Sequence, residues 1–359
     1  MESKVHEHQK KLILVSKKLL LLGMLLLLFF SCQKENKIKN VERAFYFWKS
    51  SEYQIPQKLD TLRKKLGVNK LYVKFFEVDY SDALGFFPIT KTELNFYNEQ
   101  DSISIVPTVF IKNSAFMKCS KGSIDTLADN VDFLLNKYAH KKFRNAKKPT
   151  EFQMDCDWTM KTKDNYFYFL KKLKEISKKQ ISCTLRLYPY KYPDKMGVPP
   201  VDKVMLMCYN LINPLENENK NSILDNRELE SYLSTKNKYP KHIDIALPIY
   251  SWMQVYQNER FSNVIYTNNA EMKRVLKEDK PLWYTVTKDT VVNDTYLRIG
   301  DKIKLEEVNN ENIKQAIVLL KKNIDFDENT TVSLFHFDEE QLKNFTNEEI
   351  VSFYTDFSK

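Results

Sequence analysis

The stretch Glu151–Met160 reads EFQMDCDWTM and sets two carboxylates, Asp155 and Asp157, two residues apart. In an extended chain that spacing puts both on one face, because strand side chains alternate with period two. Paired carboxylates are the raw material of glycoside hydrolysis, where one protonates the leaving oxygen and the other stabilises or attacks the sugar. A second stretch, Ile181–Tyr188 (ISCTLRLY), carries the guanidinium of Arg186 in the same alternating pattern. In the first stretch Phe152, Met154, Cys156 and Trp158 oppose Gln153, Asp155, Asp157 and Thr159. In the second, Ile181, Cys183, Leu185 and Leu187 oppose Ser182, Thr184, Arg186 and Tyr188.

Strands of an open parallel sheet are apolar on both faces. One polar face in consecutive strands therefore points to a closed barrel, with helices over the apolar face and the polar face in the lumen. Isolated buried charges are costly, so these groups need partners. Arg186 is the natural partner of Asp155 or Asp157, with Asp155 one layer deeper and expected to hold it; Lys74, on the face of Tyr72, is a second candidate. Two readings stay open, a structural ion-pair network filling the lumen and a site at the C-terminal mouth, where this fold carries its chemistry. Glu77 and Asp79 end their strand as solvated loop charges or as carboxylates reaching over the mouth toward Asp157. Trp48, Trp158, Tyr188, Tyr209, Tyr250 and Trp252 crowd the strand ends, either stacking on sugar faces or filling core.

The elements that must position these residues repeat along the chain. Strand-like runs occur at 44–49, 70–79, 104–111, 151–158, 181–188, 204–210, 242–250 and 331–337. Helical patterns at 57–66, 126–138, 163–179, 225–235 and 312–322 fall between them. Eight strands alternating with helices predict a (β/α)8 barrel over residues 43–359. Pro189–Asp202 is too short and proline-bearing for a full fifth helix. Residues 254–311, with strand patterns at 282–287 and 296–308, predict an insertion between strands seven and eight.

Before the barrel, Lys10, Lys11, Lys17 and Lys18 precede an apolar run from Leu19 to Phe30 that stops at Ser31-Cys32. A basic start, an apolar run shorter than a membrane span and a small residue before cysteine predict an export signal over 1–31, lipidation of Cys32 and a tether over 32–42. This resembles a bacterial lipobox, and Gln33-Lys34-Glu35-Asn36 resembles the tether of outer-membrane lipoproteins of Bacteroidetes that reach the cell surface. Losing residues 1–31 lowers the formal net charge from +9 to +6. With charges interspersed and no aromatic-studded basic run, nucleic acid is not an expected partner. Cys119, Cys156, Cys183 and Cys208 remain; three lie in apolar strand patterns, where thiols behave as small hydrophobes. No zinc spacing, P-loop, dinucleotide fingerprint or nucleophile elbow is present, so neither a metal nor a cofactor is expected; carboxylates alone leave only Ca²⁺ or Mg²⁺ on Asp155, Asp157 and Glu77 as a minor option.

Asp155-Cys156-Asp157-Trp158-Thr159 resembles the fourth strand of the chitinase-like enzymes of glycoside hydrolase family 18, with pattern D-x-x-D-x-D-x-E. Met207-Cys208-Tyr209-Asn210 is similar to their sixth-strand M-x-Y-D, and Ala246-Leu247-Pro248-Ile249-Tyr250 to their seventh-strand G-x-P-x-Y. A closer similarity is to uncharacterised Bacteroidetes lipoproteins with the same D-C-D-W-T and V-P-P-V-D segments, the latter at Val198–Asp202. The family resemblance implies catalytic positions at Asp155, Asp157 and Tyr209. Thr159 stands where the general acid belongs, Phe152 replaces the first aspartate and Asn210 the sixth-strand carboxylate. Loss of a general acid typically removes a factor of about 10²–10⁴ in rate, so the family mechanism cannot run unchanged. Glu77 is the candidate replacement carboxylate, and Gln153, Trp158, Arg186, Tyr188, Tyr250 and Trp252 are the candidate substrate contacts. The expected function is a cell-envelope lipoprotein that acts on or recognises glycan; the alternative is a non-catalytic glycan-binding or structural envelope lipoprotein.

Overall fold

The computed structural model describes residues 38–49, 52–53, 55–94, 103–142, 148–235, 238–266 and 272–359. Cys32, the signal and most of the tether lie outside the described residues. Eight parallel strands close a barrel: β1 (Asn40–Phe47), β2 (Lys70–Ser81), β3 (Ser104–Ile111), β4 (Glu151–Asp155), β5 (Gln180–Leu185), β6 (Lys203–Met207), β7 (His242–Pro248) and β8 (Asn329–Phe335). Closure is through β1, which pairs with β8 on one side (Ala44 opposite Ser333) and with β2 on the other (Ala44 opposite Lys70). This is the (β/α)8 barrel that the sequence predicts.

The alternation assigns the faces as expected. Phe152, Met154, Ile181, Cys183 and Leu185 are fully buried between the strands and the outer helices. The helices present apolar stripes to them: α1 (Gln57–Lys65), α2 (Lys121–Lys142), α3 (Lys163–Ser177), α4 (Asn226–Leu233), α5 (Asn310–Asn323) and α6 (Asn347–Thr355). In α2 the buried set Ile124, Leu127, Ala128, Val131 and Leu135 follows helical spacing. In α3 it is Tyr166, Phe169, Leu170 and Leu173. Each such side chain contributes about 1.5–3 kcal/mol by leaving water. Local signals fix the helix starts: Asn309 caps α5 through Asn312 and Thr346 caps α6 through Glu349, both as reciprocal boxes. The fifth crossover holds only two short helical turns, Leu187–Lys191 and Pro193–Met196. Cys119, Cys156, Cys183 and Cys208 are all unpaired thiols.

Three strands end three residues earlier than their sequence patterns. β4 stops at Asp155, β5 at Leu185 and β6 at Met207, against expected ends at 158, 188 and 210. The residues beyond them leave the ladder and form the mouth. β2 instead runs on to Ser81 and folds back antiparallel onto Gly85–Lys91, with Tyr80 opposite Phe86.

Between β7 and β8 a five-stranded sheet is built from Trp252–Gln257, Arg260–Ile265, Leu276–Lys280, Trp283–Val286 and Lys302–Glu306. One face carries its own core, including Met253, Val255, Val286, Ile303 and Leu305. The single run expected at 296–308 is two strands, Thr295–Leu297 and Lys302–Glu306, separated by the Gly300 turn.

Candidate functional site

The lumen is filled in layers, and its floor is a chain of alternating charge whose two acidic ends meet at Thr331. Lys70 reaches Glu42 at 2.9 Å and Glu151 at 3.3 Å; Lys203 reaches Glu151 at 3.0 Å and Asp244 at 2.9 Å. Ser182 donates to Glu151 at 2.6 Å, and Thr331 donates through its backbone to Asp244 and through its hydroxyl to Glu42. His242 lies 3.1 Å from Asp244 and 2.7 Å from Asp327. Burial alone would push the Asp244 carboxyl up, but the hydrogen bond from His242 and the Lys203 ammonium hold it at about 2.

Above the floor the middle layer is aromatic and polar. The Tyr46 hydroxyl donates to Gln153 Oε1 at 2.7 Å, and its ring stacks on Tyr72 at 5.0 Å. The hydroxyls of Tyr72, Tyr209 and Ser333 and the Gln153 Nε2 are buried without a hydrogen-bond partner in the protein. Four under-satisfied groups in one lumen is unusual, since buried polar groups are nearly always paired.

At the top Asp155 is buried and accepts a hydrogen bond from Thr184 at 2.6 Å. Desolvation, with the nearby charge of Asp157 adding to it, pushes its carboxyl up to about 7 against the pull of Thr184, Arg186 and Lys74. Arg186 does not take Asp155 as its ion-pair partner, as the sequence led us to expect. Its Nε sits 3.3 Å from Asp157 Oδ1, and Nη2 donates to the Asn210 carbonyl at 3.4 Å. The reason is positional: β4 and β5 both end just below, so Asp157 and Arg186 rise together into the mouth while Asp155 stays opposite Thr184. Asp157 is exposed, with 58% of its side chain accessible. Asn210, in left-handed backbone conformation at φ 53°, accepts from the Tyr250 hydroxyl at 2.5 Å. A chain of contacts thus runs from Asp157 through Arg186 and Asn210 to Tyr250.

Glu77 reaches the same layer by a route that strict alternation hides. Period two would place Lys74 and Glu77 on opposite faces, but the register with β3 shifts between Lys74 and Phe76. The irregularity sets Glu77 in one row with Phe110 and Asp155. Glu77 is then engaged by Lys74 at 2.5 Å, and that ammonium also lies 5.4 Å from the Trp48 ring. Asp79 is committed to Lys112 at 2.8 Å.

The aromatic candidates separate into two groups. Tyr209 and Tyr250 are buried around Phe335, whose ring lies 5.0 Å from Tyr209, 5.7 Å from Tyr250 and 6.1 Å from Trp48. Phe335, missed from the sequence, is the centre of this cluster; the Thr331, Ser333, Phe335 alternation in β8 was its signal. Tyr188 is exposed on the rim, its ring 4.8 Å from Tyr192. Trp252 stands half-buried beside Tyr250 and donates to Glu306, which is fully buried with Lys304 at 2.7 Å and takes the Ser222 hydroxyl at 2.6 Å.

Trp158 is a correction to the sugar-contact set. It is 4% exposed, packs on Tyr166 and Phe167 under α3, and donates to the Met196 carbonyl at 3.1 Å. Gly197 makes this pocket possible: at φ 76° it turns the chain, and a Cβ there would meet Phe167 at 2.6 Å. Thr159 lies at the lead-in to α3, where its backbone N–H donates to the Thr162 hydroxyl and its carbonyl accepts from Lys163. Among the described residues no group of three or more His, Cys, Asp or Glu is arranged to hold a metal ion.

No protein-family model and no curated protein matches the sequence. Solved structures do match in fold. The spore cortex-lytic enzyme SleL of Bacillus megaterium is 13% identical, covers 88% of this chain and 74% of its own, and gives a TM-score of 0.53. SleL of Bacillus cereus (14% identity, 86% and 75% coverage, TM-score 0.47) and a GH18 chitinase from Pseudoalteromonas aurantia (8%, 88% and 99%, 0.41) are also similar. The structural neighbours are glycoside-hydrolase-type barrels, and at these identities the likeness is one of fold.

Proposed function

We propose that this chain is an envelope lipoprotein whose barrel mouth recognises a glycan without the general acid of the hydrolases it resembles. The observation that carries the reading is the accessible Asp157–Arg186 pair among the aromatic side chains of the mouth, above the buried hydroxyl and amide groups of Tyr72, Gln153, Tyr209 and Ser333. The exposed carboxylate accepts and the guanidinium donates, and a hydroxyl- or amide-bearing sugar offers matching donors and acceptors. Trp48, Tyr188 and Trp252 supply apolar faces at the rim, and the Asp157–Arg186 pair offers an acceptor and donors side by side. Turnover is disfavoured because Thr159 carries only a hydroxyl and Glu77 is held by Lys74. A slow hydrolytic reading has one observation in its favour, the Asp155 carboxyl raised to about 7, which keeps a proton available near neutral pH.

Lipidation of Cys32 would tether the barrel to the outer membrane, with Gln33–Asn36 pointing to the cell surface. Cys32→Ser should release the protein from the membrane fraction; unchanged fractionation would remove the envelope part of the reading. For the mouth, purified protein is screened against peptidoglycan fragments, chitin oligosaccharides and host N-glycans, reading binding and new reducing ends together. Saturable binding without reducing ends, weakened about tenfold or more by Asp157→Asn, is the expected result. Steady production of reducing ends would replace recognition by hydrolysis, and binding indifferent to Asp157→Asn would remove the mouth as the site.

A further inference from the structure

One crevice among the described residues lies away from the barrel mouth. It is an open crevice of about 810 Å³ on the flank, lined by the loop after β6, the inserted sheet and the start of α5. Its lining is unusual in chemistry: six asparagines and one glutamine, the latter Gln315, surround an apolar patch that includes Leu224, Leu282 and Tyr284. The charged residues of the lining, Lys220, Asp225, Arg227 and Glu307, cancel in sign. Lys220 is further neutralised by Glu228, and Asp225 is used in capping α4.

Carboxamides each carry both donors and an acceptor. Several here are already anchored: Asn221 holds the backbone of Ile223 and Leu224 and donates to the Glu307 carbonyl, and Asn309 and Asn312 form the α5 cap. Asn226 donates to the Asn312 carbonyl and to Gln315, yet its own Oδ1 is buried with no partner in the protein. The anchored amides make a rigid wall.

Leu282 supplies a second, independent sign. It follows Pro281 in the turn between the strands Leu276–Lys280 and Trp283–Val286, and its φ is 71°. That position of a proline-led turn normally takes glycine or asparagine. A leucine held there is disfavoured by its backbone, and conformations of that kind cluster at binding sites. Leu282 and Tyr284 both line the crevice.

From this lining we infer a second binding site for a neutral oligosaccharide, separate from the mouth. A sugar ring has an apolar face of C–H groups and an edge of hydroxyls that both donate and accept. Leu282 and Tyr284 match the face, while Asn219, Asn226 and Gln315 match the edge. Charge balance argues against a nucleotide or polyanion, which would require uncompensated lysine or arginine.

The test uses the full chain and hydrogen–deuterium exchange with chitohexaose, mannohexaose and, as a charged control, dextran sulfate, together with calorimetric titration. Neutral oligosaccharide should protect residues 217–227 and 309–315. The surface variant Asn219→Ala/Gln315→Ala should abolish that local protection and lower the flank affinity at least tenfold at unchanged melting temperature, while protection of 217–227 and 309–315 should persist when the mouth is altered by Asp157→Asn. A single Asn219→Ala chain, expected to lose several-fold, keeps the test decisive if the double variant misfolds. Protection confined to the mouth segments, or no protection by either neutral oligosaccharide, overturns the flank site whatever happens at the mouth. Preference for dextran sulfate overturns the ligand class.

Discussion

The two ends of this barrel carry similar residue types and use them in opposite ways. At the floor Glu42, Lys70, Glu151, Lys203 and Asp244 alternate in sign and are tied to one another. At the mouth Asp157 and Arg186 meet across 3.3 Å with 58% and 32% of their side chains accessible, and buried hydroxyls below them lack protein partners. A charge whose every partner is within the protein has its role used up in holding the strands. A charge left accessible is open to a partner outside the chain. The ion-pair reading of the polar lumen therefore describes the floor, and the proposed site is the mouth.

The largest effect expected is at the floor. Glu151→Ala leaves both Lys70 and Lys203 short of a buried partner, and chemical denaturation should show a loss of about 3–5 kcal/mol. Asp157→Asn at the mouth should cost less than about 0.5 kcal/mol in the same assay; similar losses for the two would erase the distinction between the ends.

Asp155 sharpens the comparison through pH. Its folded pKa lies above its unfolded value, so its contribution to stability is fully present below about pH 4 and is lost as pH rises through about 7. Asp155→Asn keeps an acceptor for the Thr184 hydroxyl and removes the ionisation. The variant should gain stability over the parent on the order of 2 kcal/mol by pH 8, with the difference shrinking toward pH 4. No pH dependence in that difference would mean that Asp155 is not desolvated as its surroundings indicate.

His242 at the floor has the same sign of pH dependence as Asp155, from a different cause. Its pKa is raised, by the hydrogen bond to Asp244 first and despite burial, so its contribution is present below about 6.5 and fades as pH rises through the elevated value. Asp244, held at about 2, contributes above about pH 4 and is lost as pH falls through 2. His242→Gln should therefore cost about 1 kcal/mol near pH 5 and little above pH 8, read as a pH-resolved series of denaturation midpoints. The smallest effect expected is at Thr159: Thr159→Glu should leave stability within about 0.5 kcal/mol, and it tests whether a carboxylate restored there raises reducing-end release above background.

Sequence alone determined the closed barrel, because period-two alternation of Gln153, Asp155 and Ser182, Thr184 against Phe152, Met154 and Cys183, Leu185 can be satisfied only by one polar and one apolar face. It also determined that position 159 carries a hydroxyl and no carboxylate, since that is a matter of residue identity. Alternation says which face a residue takes but not how far up the barrel it stands or which strand supplies its partner, so Arg186 pairs with Asp157 rather than Asp155. It assumes an unbroken ladder, so the β2 irregularity that brings Glu77 beside Lys74 left no trace in the pattern. It ends where the strand ends, so Trp158, three residues beyond β4, turned under α3 instead of toward the mouth. Only the tertiary structure decided these, because each depends on contacts between residues far apart in the chain, and the flank crevice, assembled from three separate segments, depends on them entirely.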